Sequence, residues 1–322
     1  MKLTFEQIKN ITVGAIDVKN TDSGVEFYRL TKSQVDGFVK EQADHIKKVY
    51  ATSCVRLDFY TNSKTLKFAF SDIRCGSSRT YYSFDVYENG EMIYSYFEHY
   101  TNVKSAEFTV ELSGDSHVQI FFPNLAAVTV GEVSLDDGAK LQPAKLSCNL
   151  LMHGDSITQG YDAHLSSMSY ANLLARKLNA NVVNTAIGGA VFNPDIIDKP
   201  EGFTPDIITV AYGTNDWSKL KKEAFINNFD AFLKKLKQTY PTSKAYFILP
   251  LWRGDSEERV TDCGKFLDHL AYMKEQIESY GFTAIDGFPL VPRDASMYSP
   301  DLLHPVDVGF VHYANNLVKF IK

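Results

Sequence analysis

The apolar period changes once along the chain, and that change limits the fold more than any other feature. Between Phe59 and Phe122, fifteen residues are Phe or Tyr. Apolar side chains there recur at every second position: Val55, Leu57 and Phe59, then Leu66, Phe68 and Phe70, then Phe108, Val110 and Leu112. A strand turns successive side chains to opposite faces, so this period marks half-buried strands. Asn89-Gly90 lies between two aromatic runs. A tight primed turn needs positive φ, which this pair accepts, so a hairpin is predicted there. Short strands separated by polar turns point to an all-β sandwich of jelly-roll type. Ahead of it, Thr31 to Tyr50 carries the pattern of a short helix.

After Cys148 the rhythm becomes strand then helix. Leu150 to His153, Val182-Val183, Ile207 to Tyr212 and Ala245 to Leu251 read as strands. Ser169 to Leu178, Phe266 to Tyr280 and Val306 to Ile321 read as helices. Lys222 to Tyr240 is amphipathic, with Phe225, Phe229, Phe232, Leu233 and Leu236 at helical spacing. Strands alternating with helices predict a parallel sheet covered on both faces, a three-layer α/β/α unit. All 11 prolines lie at Pro123 or later. The expected division is a sandwich over 1–145 and an α/β unit over 146–322, changing near Gln142-Pro143.

At 322 residues the chain is long enough for two cores. Its net charge of -6, with no dense basic stripe, argues against a nucleic-acid partner. The four cysteines show no paired or zinc-type spacing. No metal set and no phosphate-cradling glycine loop is present, so neither a metal nor a cofactor is expected. No apolar run is long enough to cross a membrane. The first residues, Met1-Lys2-Leu3-Thr4-Phe5-Glu6, lack the apolar core of a secretion signal, which makes a cytoplasmic location the expectation. An exposed sandwich face would suit a homo-oligomer, although no sequence feature identifies one.

Three polar clusters stand where strands end, which is where ligands bind in open α/β sheets. The first is Gly154-Asp155-Ser156-Ile157-Thr158-Gln159-Gly160. A serine between a strand and a helix start has the exposure a nucleophile needs, and it equally suits a helix cap. The second is Gly213-Thr214-Asn215-Asp216, where the Asn215 amide could donate to an oxyanion or simply brace a turn. The third is Asp301-Leu302-Leu303-His304-Pro305. A serine hydroxyl needs a base, and imidazole needs an acceptor on its other nitrogen; one loop with Asp301 and His304 supplies both. Between the first two clusters, Asn184-Thr185-Ala186-Ile187-Gly188-Gly189 brings a glycine N–H within reach of a ligand.

Taken in order, Gly154-Asp155-Ser156, a central Gly, Gly213-x-Asn215-Asp216 and Asp301-x-x-His304 resemble the four signature blocks of the SGNH (GDSL-type) hydrolases. The resemblance spans about residues 149 to 322. It implies Ser156 as nucleophile, His304 as general base and Asp301 as the residue orienting it. It further implies an oxyanion hole formed by the Ser156 N–H, a glycine N–H best matched by Gly189, and the Asn215 side chain. Ala190 stands where many members carry Asp. A β-sandwich ahead of such a unit resembles two-domain bacterial carbohydrate esterases, including carbohydrate esterase family two, and so implies a small-molecule or oligosaccharide ester as partner, with an O-acetylated sugar as substrate. Trp252, Arg253, Tyr161 and Trp217 are candidates for substrate contact, with ordinary packing as the alternative for each. His153, His164, His269 and His312 read as structural. The competing functions are a short-chain lipase or thioesterase acting on a non-sugar ester, and a carbohydrate-binding protein with a degenerate hydrolase unit.

Overall fold

The computed structural model describes residues 1–321. Two antiparallel sheets form the sandwich. One has the strand order Thr12–Val13, Arg56–Thr61, Ser116–Phe121, Tyr81–Glu88, Glu91–His99, with Leu141–Pro143 also pairing Arg56–Thr61. The other runs Asp17–Thr21, Gly24–Tyr28, Ala126–Leu135, Thr65–Cys75, Ala106–Glu111. The period-two residues point inward as their spacing demands: Leu57, Phe59, Leu66, Phe68, Phe70, Phe108 and Val110 are all buried. Their rings pack closely, Phe70 against Phe84 at 4.5 Å and Phe68 against Phe108 at 5.2 Å between centroids. Each buried ring of this size contributes about 1.5–3 kcal/mol. Asn89 and Gly90 form the hairpin turn with φ of 51° and 89°, the double positive-φ arrangement that the Asn-Gly pair permits.

The second sheet system is parallel, in the order Ala180–Asn184, Cys148–Gly154, Ile207–Ala211, Lys244–Ile248, Thr283–Ile285. Helices cover both faces. Lys222–Thr239 buries Phe225, Phe229, Phe232, Leu233 and Leu236 on one side, together with helix Phe266–Ser279. Helices Tyr170–Lys177 and Asp307–Leu317 close the other, where the Tyr170 and Tyr313 rings stack at 4.0 Å.

The helix read between Thr31 and Tyr50 is present at Lys32–Glu41, opened by a capping box between Thr31 and Gln34. Its packing was not legible: Leu30, Phe38 and Val49 join the core of the parallel sheet. Buried polar bonds tie the two systems together. Arg29, 1% exposed, donates to the carbonyls of Ala51, Asn184 and Ala186 at 2.6–2.9 Å. Ser83 and Ser166 exchange three hydrogen bonds, and the Ser167 N–H donates to Asp85. Among the described residues no helix is long and apolar enough to cross a membrane.

Candidate active site

Strand Cys148–Gly154 ends at Asp155, whose carboxylate caps the single helical turn Ser156–Gln159 by accepting the Ile157 N–H at 3.0 Å. Gly160 ends that turn at φ 101°, and its Cα lies so near Asn124 that a Cβ would come within 2.7 Å of the amide. Ser156 therefore occupies the first helical position. There its N–H has no helical partner, and its hydroxyl meets the opening at the carboxyl end of the sheet. Capping falls to Asp155, which leaves the serine side chain free for chemistry.

The hydroxyl finds His304. Ser156 Oγ lies 2.7 Å from His304 Nε2, and His304 Nδ1 lies 2.7 Å from Asp301 Oδ2. An ionised carboxylate only accepts, so the proton sits on Nδ1 and Nε2 presents a lone pair to the serine. The loop that supplies both residues is itself fixed. Asp301 Oδ1 accepts from Ser299 Oγ and from the N–H groups of Leu303 and His304 at 2.7–3.0 Å. Burial opposes ionisation of Asp301, but the bonds from the His304 side chain and backbone and from Ser299 prevail and hold the carboxyl well below its usual range. Leu302, between acid and imidazole, adopts φ 50°, a left-handed conformation costly for a leucine. A bond from the Gly254 N–H to its carbonyl holds it there.

Two further chain segments meet the turn that carries this serine. Gly188 donates to Gln159 Oε1 at 2.7 Å, and a Cβ on it would strike the Tyr161 ring at 2.6 Å. Gly189 follows at φ 92°. Its N–H and that of Ser156 donate to no acceptor among the described residues. From the next strand end, Gly213 turns at φ 117° into helix Thr214–Lys219, and Asp216 secures that turn by accepting from the N–H groups of Gly213 and Phe192. Asn215 Nδ2 then lies 3.2 Å from the Ala190 carbonyl and 3.4 Å from Asp155 Oδ2. Burial pushes the Asp155 carboxyl up to about 6. The structure thus joins Ser156, His304 and Asp301 in one hydrogen-bonded series and brings Asn215 to Asp155 and to Ala190, the residue after Gly189.

The expected substrate contacts divide. Tyr161 stacks on His304 with ring centroids 5.8 Å apart, beside the reacting groups. Trp252 is half-buried, packs against the core and meets Tyr298 edge-on, with no contact to the reacting groups among the described residues. Trp217 is corrected: it is 0% exposed, donates to the Gly264 carbonyl and packs on Phe266. Two residues beyond Asn215 on a helix is nearly the opposite face, so its ring turns into the core. Arg253 is likewise engaged by Asp255 and Thr214 and covers the Trp217 ring. His153 donates from Nδ1 to Thr185 inside the core, and burial lowers it to about 3, which suits a neutral packing residue.

Other residues at the site gave no sequence signal. Lys48 and Lys219 donate to the carbonyls of Gly188 and Gly189. Arg79 and Asp162 stand beside His304. Asp162, Asp301 and His304 are also a set whose ligand atoms lie within 4.8 Å of one another, as a metal would require. The Arg79 guanidinium already brings positive charge to the two carboxylates, which does not fit an added metal ion.

Residues 152–310 match the GDSL-like Lipase/Acylhydrolase family. No protein of curated function matches the chain in sequence. Solved structures share its fold across both sheet systems. A salicylyl-acyltransferase, SsfX3, from a tetracycline biosynthetic pathway is 20% identical with a TM-score of 0.79, covering 95% of this chain and 92% of its own. A family two carbohydrate esterase from Cellvibrio japonicus is 17% identical with a TM-score of 0.65, covering 100% and 96%. An acetyl xylan esterase, Est2A, from the rumen bacterium Butyrivibrio proteoclasticus is 14% identical with a TM-score of 0.64, covering 100% and 97%.

Proposed function

We propose that this chain, a GDSL-like lipase/acylhydrolase through its residues 152–310, is a serine esterase that removes short acyl groups, acetyl above all, from carbohydrate esters. The observation that carries the reading is the hydrogen-bonded series Ser156–His304–Asp301, with both links at 2.7 Å. Ser156 attacks the ester carbonyl while His304 Nε2 takes the hydroxyl proton. The N–H groups of Ser156 and Gly189 and the Asn215 amide receive the oxyanion. The sugar alkoxide leaves with the proton from His304, and a water activated by the same nitrogen then hydrolyses the acyl-serine. Asp301 keeps the imidazole in the required tautomer and stabilises its charged form.

Likeness to the acetyl xylan esterase favours a short acyl group. The carbohydrate half of the reading rests on likeness of architecture to carbohydrate esterases. It is tested with p-nitrophenyl acetate, butyrate and octanoate, wild type beside Ser156→Ala, followed by acetylated xylan and mannan oligosaccharides. Turnover highest on acetate, lost in Ser156→Ala, and release of acetate from the oligosaccharides are expected. Turnover that ignores Ser156 overturns the mechanism; preference for octanoate, or no acetate release from any oligosaccharide, overturns the substrate assignment.

A further inference from the structure

A second carboxylate faces the imidazole. Asp162 Oδ2 lies 3.7 Å from His304 Nδ1, and Asp301 Oδ2 lies 2.7 Å from the same nitrogen. Asp162 follows the nucleophile turn at φ 64°, a left-handed conformation that a non-glycine residue adopts only when its surroundings hold it. What holds it comes from the sandwich. Arg79 grips both Asp162 oxygens, Nε to Oδ1 at 2.9 Å and Nη2 to Oδ2 at 2.6 Å. The same Nη2 reaches Asp301 Oδ2 at 3.5 Å, and the guanidinium covers the Tyr161 ring at 5.0 Å. The same ring stacks on His304, with centroids 5.8 Å apart. The Arg79 loop is braced: Ser77 Oγ accepts the Arg79 N–H and donates to its carbonyl, and Gly76 sits where a Cβ would overlap the Lys47 carbonyl.

We propose that the sandwich completes the active site through Arg79, a positioning residue that neutralises Asp162 so that His304 answers to Asp301 alone. The inference rests on the esterase reading above. Imidazole flanked by two bare carboxylates would hold its proton too firmly to act as a base near neutral pH; the guanidinium removes one of them from the balance. The charged and titratable groups around His304 are Asp301 on its own loop, Asp155, Tyr161 and Asp162 from the nucleophile segment, and Arg79 from the sandwich. Tyr81 and Asp307 lie one step further out, beside Asp162 and Arg79.

The signs of two substitutions are opposite, which makes the test sharp. Arg79→Gln frees a carboxylate beside the imidazole, so the acidic limb of the kcat/KM profile moves up by about one pH unit, a tenfold change in the protonation equilibrium. Asp162→Asn leaves the guanidinium unopposed, and the limb moves down. Arg79→Lys keeps the charge and restores most of the wild-type position, while the double variant Arg79→Gln/Asp162→Asn returns the limb toward wild type. Profiles are measured on the full chain with p-nitrophenyl acetate, with thermal melts beside them. A limb that stays in place in Arg79→Gln, or a loss uniform across pH in a folded protein, overturns the proposal. Should Arg79→Gln fail to fold, the downward limb of Asp162→Asn decides. Hydrolysis surviving Ser156→Ala would instead defeat the esterase reading, leaving the two failures distinguishable.

Discussion

The Asp301–His304 loop leans on a glycine that no part of the chemistry touches. A Cβ built on Gly254 would lie 2.7 Å from Leu302 Cβ and 2.9 Å from its Cδ1, and the Gly254 N–H donates to the Leu302 carbonyl at 2.8 Å. The near atom is Leu302 Cβ, fixed to the backbone, so rotating the side chain does not relieve the clash. Carbon atoms rest about 3.5–4.0 Å apart, so Gly254→Ala must displace the Leu302 backbone by roughly 1 Å. Leu302 is already strained at φ 50° and joins Asp301 to His304, so the displacement passes to the 2.7 Å contact between His304 Nε2 and Ser156 Oγ. A misplacement of about 1 Å at reacting groups can lower turnover by about 10²-fold, and the added crowding costs about 1–3 kcal/mol of stability. The assay is kcat/KM on p-nitrophenyl acetate together with a thermal melt. Gly131→Ala serves as the control, since its Cβ would meet only the Ala69 carbonyl at 3.8 Å. Gly254→Ala with wild-type kcat/KM would show that the loop does not depend on this contact, and the account of how the acid and imidazole are held would be wrong.

Removing the Asn215 amide deletes one of three proposed oxyanion donors. Asn215→Ala is expected to lower kcat by about 10²–10³-fold with little change in the melt, and an unchanged kcat would remove Asn215 from the oxyanion hole. Stability should also depend on pH in two directions. Burial works against ionised Asp58, but bonds from His117, Arg56 and Gln119 outweigh it and bring the group down to about 2. Its contribution is therefore present above about pH 4, the unfolded value, and lost as pH falls through about 2. Burial raises Asp155 to about 6 and Asp216 and Glu41 to about 7. Those contributions are complete below about pH 4 and lost as pH rises through 6 to 7. Burial lowers His45 and His269 to about 4 and His153 to about 3, which gains stability over the same range. The melting temperature is therefore expected to rise from about pH 2 to 4 and then level off, and one flat between about pH 2 and 4 contradicts the Asp58 assignment.

What the sequence revealed depended on how far each signal travels along the chain. Alternation of Leu66, Phe68 and Phe70 is a property of neighbours, so the strands and their inward faces could be read directly. The blocks around Ser156, Asn215 and His304 were readable because each is a few residues long and sits at the end of an apolar run. Trp217 misled for a related reason: closeness to Asn215 in sequence says nothing about which side of helix Thr214–Lys219 it occupies. Arg79 and Asp162 are 83 residues apart, in two different sheet systems, and an arginine on a polar turn has no local pattern that distinguishes it from a solvated one. The helix Lys32–Glu41 was visible as a helix, yet its attachment to the parallel sheet through Phe38 was not, because amphipathicity gives a buried face without naming the surface that buries it.

Those illegible contacts share a direction. Arg29 supplies donors to the carbonyls of Asn184 and Ala186, just before the Gly188-Gly189 turn. Ser53 accepts from the Asn184 amide and donates to the Gln159 carbonyl, and Gln159 in turn holds the Gly188 N–H. Arg79 meets Asp162 and Asp301. Each contact runs from the first 80 residues to a loop at the carboxyl end of the parallel sheet. Loops there bend sharply and leave carbonyls that the sheet itself cannot satisfy, and an unpaired buried carbonyl costs about 1–3 kcal/mol. A hydrolase unit standing alone would have to satisfy them with its own insertions or with water. Here buried side chains from the sandwich fill that role, so the same bonds that fasten the two halves together also set the position of the glycine turn. The sandwich is therefore part of the scaffold that positions the proposed active site.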